Sequence, residues 1–600
     1  MAKKVTVPKD RRLAEEPPAG NYTRLLTVSL LLVLLGSLLA NLVQTNFGTV
    51  EVRDVRFAGS NGLMMSGLLY IPEGATAETP APGVVAIHGY INSRETQTGY
   101  AIEFARRGYV VLATDQTGHG YSDPPAFANG FGGPDALAYM RTLNFVDKDN
   151  IGLEGHSMGG WASVIAASVI PDGYQAIMLQ GSSTGTLGAP DGTPTFPRNL
   201  GLVFSKYDEF AGLMWLTPRA QDIMATDKLK AVFGTTEPVE VGRLYGSIEE
   251  GTARMLYQPV TNHPGDHLSR AAIGDAIDWF QQTLEGGNGL APGDQIWFWK
   301  EIGTLVALIG MIMSLFAFGG LLLRTRFFGI LREPLPENRG IVGPGWWIGA
   351  LLTAAIPALT FFPLQHLADA PWAPTALFPQ NLTTGIMFWA LGNGLITLVL
   401  FLLWHFLANK KTGADADNYG LTWRERLSGS KIWRSFLLAL AIAAFGYLQL
   451  LLVDFFFKTD FRFWVLAIKP LSPLQFRIFL GYLIPFTLFF LMLGVALNGQ
   501  LRRNVKMGTA MWINIALVIG GIVVLLLVQY IALLSTGLMA IPAEPLLTIV
   551  AYQFVPLLAI VALITTFFFR KTGRVWTGAF LCALLITWII VAGQATHFAF

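Results

Sequence analysis

Six hundred residues that are 52% hydrophobic and only 14% charged, with a mean hydropathy of +0.47, are too apolar for an ordinary soluble chain and point to membrane spans. The net charge of +2 is scattered as short Lys and Arg clusters between apolar runs, which argues against nucleic acid as a partner. The single cysteine, Cys582, lies in an apolar run and excludes an internal disulfide, a Cys-type zinc site and a CxxC redox pair.

Residues 1–24 are basic, with Lys3, Lys4, Lys9, Arg11, Arg12 and Arg24, and are expected in the cytoplasm. Residues 25–43 carry no charge and are long enough to cross about 30 Å of hydrocarbon. A cleaved signal peptide is the rival reading. Its apolar core usually spans about 7 to 15 residues before a small-residue cleavage site, and "LLANLVQTNF" offers no good A-x-A match, so an uncleaved anchor is favoured. From 48 to 285 short β-branched runs alternate with helix-like stretches, the texture of one globular domain. The turn-rich "GGNGLAPGDQ" opens a linker over 286–299, with Trp297 and Trp299 expected as interfacial anchors.

Residues 300–600 are expected to form an all-α transmembrane bundle. Eight apolar segments fall at 302–323, 346–364, 386–407, 436–457, 478–497, 511–534, 546–569 and 576–592, which makes nine spans with the first. Alternate loops are basic. They hold Arg324, Arg326, Arg332 and Arg339; then Lys410, Lys411, Arg424, Arg426, Lys431 and Arg434; then Arg502, Arg503 and Lys506; then Arg570, Lys571 and Arg574. Loops 365–385 and 535–545 have neither Lys nor Arg, and only 458–477 is mixed, with Lys458, Arg462, Lys469 and Arg477. This phase predicts a multi-pass protein of the plasma membrane, with the globular domain and the C-terminus outside the cytoplasm. Asp454, His405, Asn393, Gln553 and Gln594 lie in or near the spans, but several sit near span ends, which favours anchoring or substrate presentation over transport. The glycines beside Asn393 are expected to loosen a helix or pack it closely.

Within the globular domain "PGVVAIHGY" reads as a buried strand, "SRETQTGYAIEFARRG" as a helix capped by Ser93, and "YVVLATDQTGHGYSD" as the next strand and loop. "NIGLEGHS" is a strand that breaks into the helix "MGGWASVIAASVI", and the alternation predicts parallel βαβ units. Gly155-His156-Ser157-Met158-Gly159 fits the G-x-S-x-G turn, in which glycines relieve crowding while the serine takes a strained conformation between strand and helix.

With that turn, "AIHGY", "EFARRGYVVLATDQTGHGYSD" and "VDKDNIGLEGHSMGG", the domain resembles the α/β-hydrolase family as far as residue 284, and the membrane half lies outside the resemblance. The resemblance implies a doubly wound, mostly parallel sheet and a triad in the chain order Ser, Asp or Glu, His. Carried over, Ser157 is the nucleophile, and the N–H groups of Met158 and Tyr90 form the oxyanion hole. Asp208, after the apolar strand of "NLGLVFSKYDEF", is the acid, with a mere helix cap as the bland alternative. "VTNHPGDHLSRAAIGDAIDWF" holds two candidate bases ahead of a helix capped by Ser269, and loop position favours His263 over His267, with Asp266 able to orient either. His119 and His156 are expected to be structural. No cofactor or metal is implied.

The expected activity is a membrane-embedded serine hydrolase acting on a small-molecule or lipid-like acyl ester at the bilayer, through an acyl-enzyme. A peptidase or an acyltransferase is possible on the same triad. A transporter or sensor with a non-catalytic ligand-binding domain is the reading from another class. Few residues separate Ser157 from Asp208, too few for a large helical lid, so the cleft is expected to be open or walled by residues 184–198 and the membrane region.

Overall fold

A computed structural model describes residues 19–368 and 373–600; the cluster from Lys3 to Arg12 lies outside the described residues. Helix α1 (Ala19–Gln44) runs straight into the globular domain. The strands are β1 (Val50–Ala58), β2 (Met64–Pro72), β3 (Ala81–Ile87), β4 (Val110–Asp115), β5 (Val146–His156), β6 (Ala176–Gln180), β7 (Leu200–Val203) and β8 (Arg254–Tyr257). They form one eight-stranded sheet in the order β1-β2-β4-β3-β5-β6-β7-β8. β2 pairs antiparallel with β1 and β4, and every other pairing is parallel.

Because β3 to β7 are apolar on both faces, both must be covered. Helices α2 (Thr98–Arg106) and α7 (Arg270–Thr283) cover one face through Phe104, Trp279 and Phe280. Helices α3 (Gly133–Met140) and α4 (Met158–Val169) cover the other through Leu137, Met140 and Trp161. The short α5 (Ala211–Trp215) and α6 (Asp227–Phe233) follow β7.

Ser269 caps α7 as expected, accepting the Ala272 N–H at 3.1 Å. Ser93 does not cap a helix with its side chain: a 3-10 turn over Arg94–Gln97 precedes α2, and the Ser93 hydroxyl donates to the Glu95 carboxylate at 2.5 Å, a stronger acceptor than a backbone group. The linker is held in place. The buried Arg107 guanidinium donates to the carbonyls of Leu290, Ala291 and Asp294, so the glycine-rich segment lies against α2.

The remaining helices are α8 (Trp297–Leu322), α9 (Arg326–Gly329), α10 (Pro344–Leu359), α11 (Phe361–His366), α12 (Asn381–Trp404) and α13 (Gly429–Phe457), then α14 (Pro473–Val495), α15 (Met507–Thr536), α16 (Pro545–Thr572) and α17 (Trp576–Gly593). Eight helices among the described residues are long and apolar enough to cross a membrane. The ninth expected segment, 346–364, is broken into α10 and α11 at Thr360. Pro363 has no N–H to offer the Leu359 carbonyl, and the Thr360 hydroxyl back-bonds to Ile356 at 2.7 Å. Asn393 plugs the break by donating to Thr360 at 3.0 Å, and a Cβ on Gly392 would meet Leu364 at 2.6 Å, so that glycine permits close packing.

Trp297 is not an interfacial anchor. It is 1% exposed, packed into the sheet's α2–α7 core, with its indole N–H on Gln295 at 2.8 Å. Glu103 of α2 accepts the backbone N–H groups of Ile296 and Trp297 at 2.7 and 2.9 Å, which places a carboxylate at the positive end of α8 and welds span to domain. Trp299 is exposed.

Loop contacts sort the bundle into two ends, in the phase of the Lys and Arg pattern. At one end Arg502 reaches Pro336, Arg339 reaches Thr412, and Lys431 and Arg574 reach Glu333. At the other end Tyr121 donates to Pro470, Gln475 to Gly120, and the backbone of Thr596 pairs with Gly118 and Ala126. The mixed loop 458–477 thus lies with the globular domain, and two of its cations are neutralised there: Arg462 by Asp460 and Glu95, and Lys469 by Glu95.

Helices α1 and α8 touch backbone to backbone. A Cβ on Gly36 would lie 2.5 Å from the Gly303 carbonyl, and one on Gly310 would lie 2.7 Å from that of Ser29. Small residues give this closeness where lipid offers no hydrophobic drive. Gly303→Val is expected to wedge the pair apart and destabilise the detergent-solubilised protein by about 1–3 kcal/mol, read as a lowered midpoint of thermal unfolding.

Candidate active site

Between the end of β5 and the start of α4 the chain turns within one residue. Ser157 has φ 55° and ψ −121°, outside the regions ordinary residues prefer, which costs about 1–3 kcal/mol. The surroundings enforce the turn: the Ser157 N–H donates to the Gln180 carbonyl at 2.8 Å, and the Ser157 carbonyl accepts the Ser182 hydroxyl at 2.6 Å. The flanking glycines are sterically required, because a Cβ on Gly155 would sit 2.2 Å from the Gly159 carbonyl, and one on Gly159 would sit 2.0 Å from the Ile87 carbonyl.

The chain leaving β3 passes directly by the serine. A Cβ on Gly89 would lie 3.0 Å from the Ser157 Cβ. Tyr90 is the next residue, and Met158 opens α4, so the two expected N–H donors flank the serine from two elements. The Tyr90 hydroxyl is engaged elsewhere, 3.0 Å from Nε2 of His597 in the C-terminal segment.

Asp208 follows β7, and His263 opens a 3-10 turn after β8 in which the Asn262 side chain accepts the Gly265 N–H at 3.1 Å. The two side chains meet, Nδ1 of His263 lying 2.8 Å from Oδ2 of Asp208. The other oxygen, Oδ1, accepts the Phe210 N–H at 2.8 Å, so Asp208 both secures the turn before α5 and orients the imidazole. Gly181 leaves room for the pair: its φ is +49°, and a Cβ there would lie 2.8 Å from Nδ1 of His263.

His267 is half-buried and packs against His156, with ring centroids 4.1 Å apart, and neither of its buried ring nitrogens has a partner among the described residues. Asp266 does not orient His263 or His267. It accepts the Ser205 hydroxyl and lies 3.5 Å from Nε2 of His156. That nitrogen in turn lies 3.1 Å from the His263 carbonyl, so His156 is structural, as is His119, whose Nδ1 bonds the Thr117 carbonyl at 3.0 Å.

Charge separates the imidazoles. Burial pushes His156 and His267 down, His88 to about 4 and His119 to about 3. Burial acts against the charge on His263 too, but the adjacent Asp208 carboxylate outweighs it and moves this imidazole above its ordinary value.

Ser157, His263, Tyr90 and Met158 line one cavity of about 490 Å³. Phe127, Trp161, Leu187 and Leu213 form its globular-domain wall; Trp464, Leu546, Ile549 and Gln553 close it from the helical C-terminal region. Of the 184–198 segment only Leu187 lines the cavity. Leu546, Ile549 and Gln553 recur at helical spacing, so one stripe of α16 faces the serine's chamber. Sequence reasoning missed Glu209, Trp464, Tyr530 and His597. Glu209 stands beside Asp208 in the sequence, but no spacing rule links it to Tyr530, which donates to it from α15 at 2.7 Å.

Residues 82–227 match the family model described as the alpha/beta hydrolase fold. No curated protein matches the chain in sequence. Among solved structures, an alpha/beta hydrolase, GrgF, from Penicillium sp. sh18 is 14% identical, covering 39% of this chain and 99% of its own, with a TM-score of 0.29. An S-formylglutathione hydrolase from Agrobacterium tumefaciens is 15% identical over 39% of this chain and 95% of its own, with a TM-score of 0.28. A hypothetical protein from Pseudomonas aeruginosa is 16% identical over 39% and 94%, with a TM-score of 0.29. The globular region of this chain thus has the α/β-hydrolase fold, and the described residues also include eight long apolar helices, seven of them after it.

Gly159→Ala places a methyl group inside van der Waals contact of the Ile87 carbonyl. It is expected to destabilise the domain by about 2–4 kcal/mol, seen as a lowered denaturant midpoint, whereas Gly188→Ala, with open space around it, should cost only about 1–2 kcal/mol, the strain of its φ of +85°.

Proposed function

We propose that the chain is a membrane-embedded serine hydrolase that cleaves an acyl ester through a Ser157–His263–Asp208 triad. The observation that carries this reading is the His263 imidazole, tied to Asp208 through Nδ1 and opening, with Ser157, onto one cavity. Neutral His263 takes the proton from the Ser157 hydroxyl as that oxygen attacks the ester carbonyl. The N–H groups of Tyr90 and Met158 receive the developing oxyanion, and the helix end at Met158 adds its positive dipole. Imidazolium then protonates the leaving alcohol, and water attacks the acyl-enzyme with His263 again as base.

The cavity supports a lipid-like substrate. Its walls are largely apolar, and α16 of the membrane half contributes one of them, so an acyl chain could pass from bilayer depth to the serine without crossing water. The Lys and Arg pattern supports a cytoplasmic N-terminus and a hydrolase domain on the outer face of the plasma membrane.

Ser157→Ala in the full-length protein is expected to lose on the order of a millionfold in kcat, together with labelling by a fluorophosphonate. Wild-type protein that resists the label would sink the triad and favour a non-catalytic ligand-binding domain. Ile549→Trp should narrow the chamber and lower kcat/KM by roughly tenfold or more for a long-chain ester, while sparing a short one.

The acid limb of kcat/KM has a fixed sign. The base works only when neutral, so activity falls as pH drops through the raised value of His263, and the limb should lie above the ordinary histidine value of about 6.5. Asp208→Asn should move the limb downward and lower kcat by roughly 10⁴.

A further inference from the structure

The loop that carries His263 is gripped from outside its own domain. Glu209 is buried and accepts three hydrogen bonds: the backbone N–H of His263 at 2.8 Å, the Asn262 side-chain amide at 3.0 Å and the Tyr530 hydroxyl of α15 at 2.7 Å. One residue beyond the histidine, the Pro264 carbonyl accepts the indole N–H of Trp464 at 2.9 Å. Tyr552 of α16 lies between these two aromatic groups, with ring centroids 4.8 Å from Trp464 and 5.1 Å from Tyr530.

Trp464 is placed there at a conformational cost. It follows β9 (Phe461–Phe463) and precedes β10 (Leu466–Ile468), at the first position of a two-residue hairpin turn, with φ +50°. Glycine or asparagine suits that conformation, and a bulky aromatic residue there is a true outlier. The strain is sustained where the side chain has work outside its own hairpin, and the Pro264 carbonyl supplies that work.

We infer that Tyr530, acting through Glu209, and Trp464, acting on Pro264, are positioning residues through which the membrane half aligns the imidazole of His263 with Ser157. The inference rests on the serine-hydrolase reading above. Neither residue moves a proton or meets the reacting carbonyl in this role. They fix the backbone on both sides of the base, so the triad's geometry becomes a property of the assembled chain. A small misplacement of the base is costly, because the reacting atoms must lie within hydrogen-bond reach.

The test uses full-length protein in lipid nanodiscs, with two readouts: the second-order rate of fluorophosphonate labelling, and the split of kcat and KM on p-nitrophenyl acetate, which is too small to fill the chamber. Tyr530→Phe removes one hydroxyl and keeps the ring; it is expected to lower both the labelling rate and kcat by about three- to tenfold with KM unchanged. Trp464→Phe, which loses the indole N–H, is expected to do the same. Tyr482→Phe removes another buried hydroxyl of the bundle, bonded to Thr384 at 2.8 Å and to the Gln380 backbone and making no bond to the histidine loop, and is expected to leave both readouts unchanged. Wild-type rates in both Tyr530→Phe and Trp464→Phe would overturn the inference and leave the triad standing. So would an equal fall in Tyr482→Phe, or a loss carried wholly by KM. Absence of labelling in the unsubstituted protein would overturn the triad and this inference together.

Discussion

Glu95 is the joint on which the two halves of the molecule turn. Its carboxylate lies in the buried seam between the globular domain and the loop 458–477, where it meets Lys469 at 3.1 Å, Arg94 at 3.3 Å and Arg462 at 3.4 Å. Burial alone would push this carboxyl up; Lys469 first, then Arg94 and Arg462, hold it well below the usual carboxylate range. A lone buried charge costs several kcal/mol, and such a cluster persists only when every member is answered. Here Asp460 answers Arg462, and Asp54 and Asp115 answer Arg94. The arrangement is specific as well as strong, because a shifted loop would strip Lys469 of its carboxylate and leave Glu95 with Arg94 as its one cation in an apolar interior.

That seam explains the shape of the reaction chamber. With the hairpin clamped at Glu95, Trp464 at its tip reaches the histidine loop, and the α16 stripe of Leu546, Ile549 and Gln553 closes the side that the hydrolase domain leaves open. The C-terminal segment packs against the same domain, pairing its backbone at Thr596 with Gly118 and Ala126 and presenting His597 to Tyr90. The loop of His263 and the segment that follows β3 are therefore each braced by a group from beyond residue 460. An α/β domain alone has the sheet and the turn; this chain adds an enclosure to which a long apolar helix, α16, contributes a wall.

Much of this was legible in the chain itself. The glycines around Ser157 announced the turn, because no side chain is tolerated within 2.2 Å of a carbonyl, and the alternation of strand and helix announced the parallel sheet. The order of Ser157, Asp208 and His263 singled out a set of side chains that the fold brings to one place. The sequence separated His263 from His267 only weakly, since the two differ by one helical turn; in the structure Asp208 meets only the first. Trp297 misled, because an aromatic residue before an apolar run looks the same whether it meets lipid headgroups or a protein core. The break at Thr360 could be seen only after the helices were placed, although Pro363 is its local cause.

Local pattern is enough to specify what depends on neighbours in the chain: long apolar helices from runs of apolar residues, and the strained serine from its glycines. Contacts such as Glu209 with Tyr530, Glu95 with Lys469 and Tyr90 with His597 join residues more than 300 positions apart. No periodicity records such pairings, since each is chosen by the way helices pack and charges are buried once the whole chain has condensed. The sequence by itself determined that a serine would be bared at residue 157, and the tertiary structure decided what encloses it.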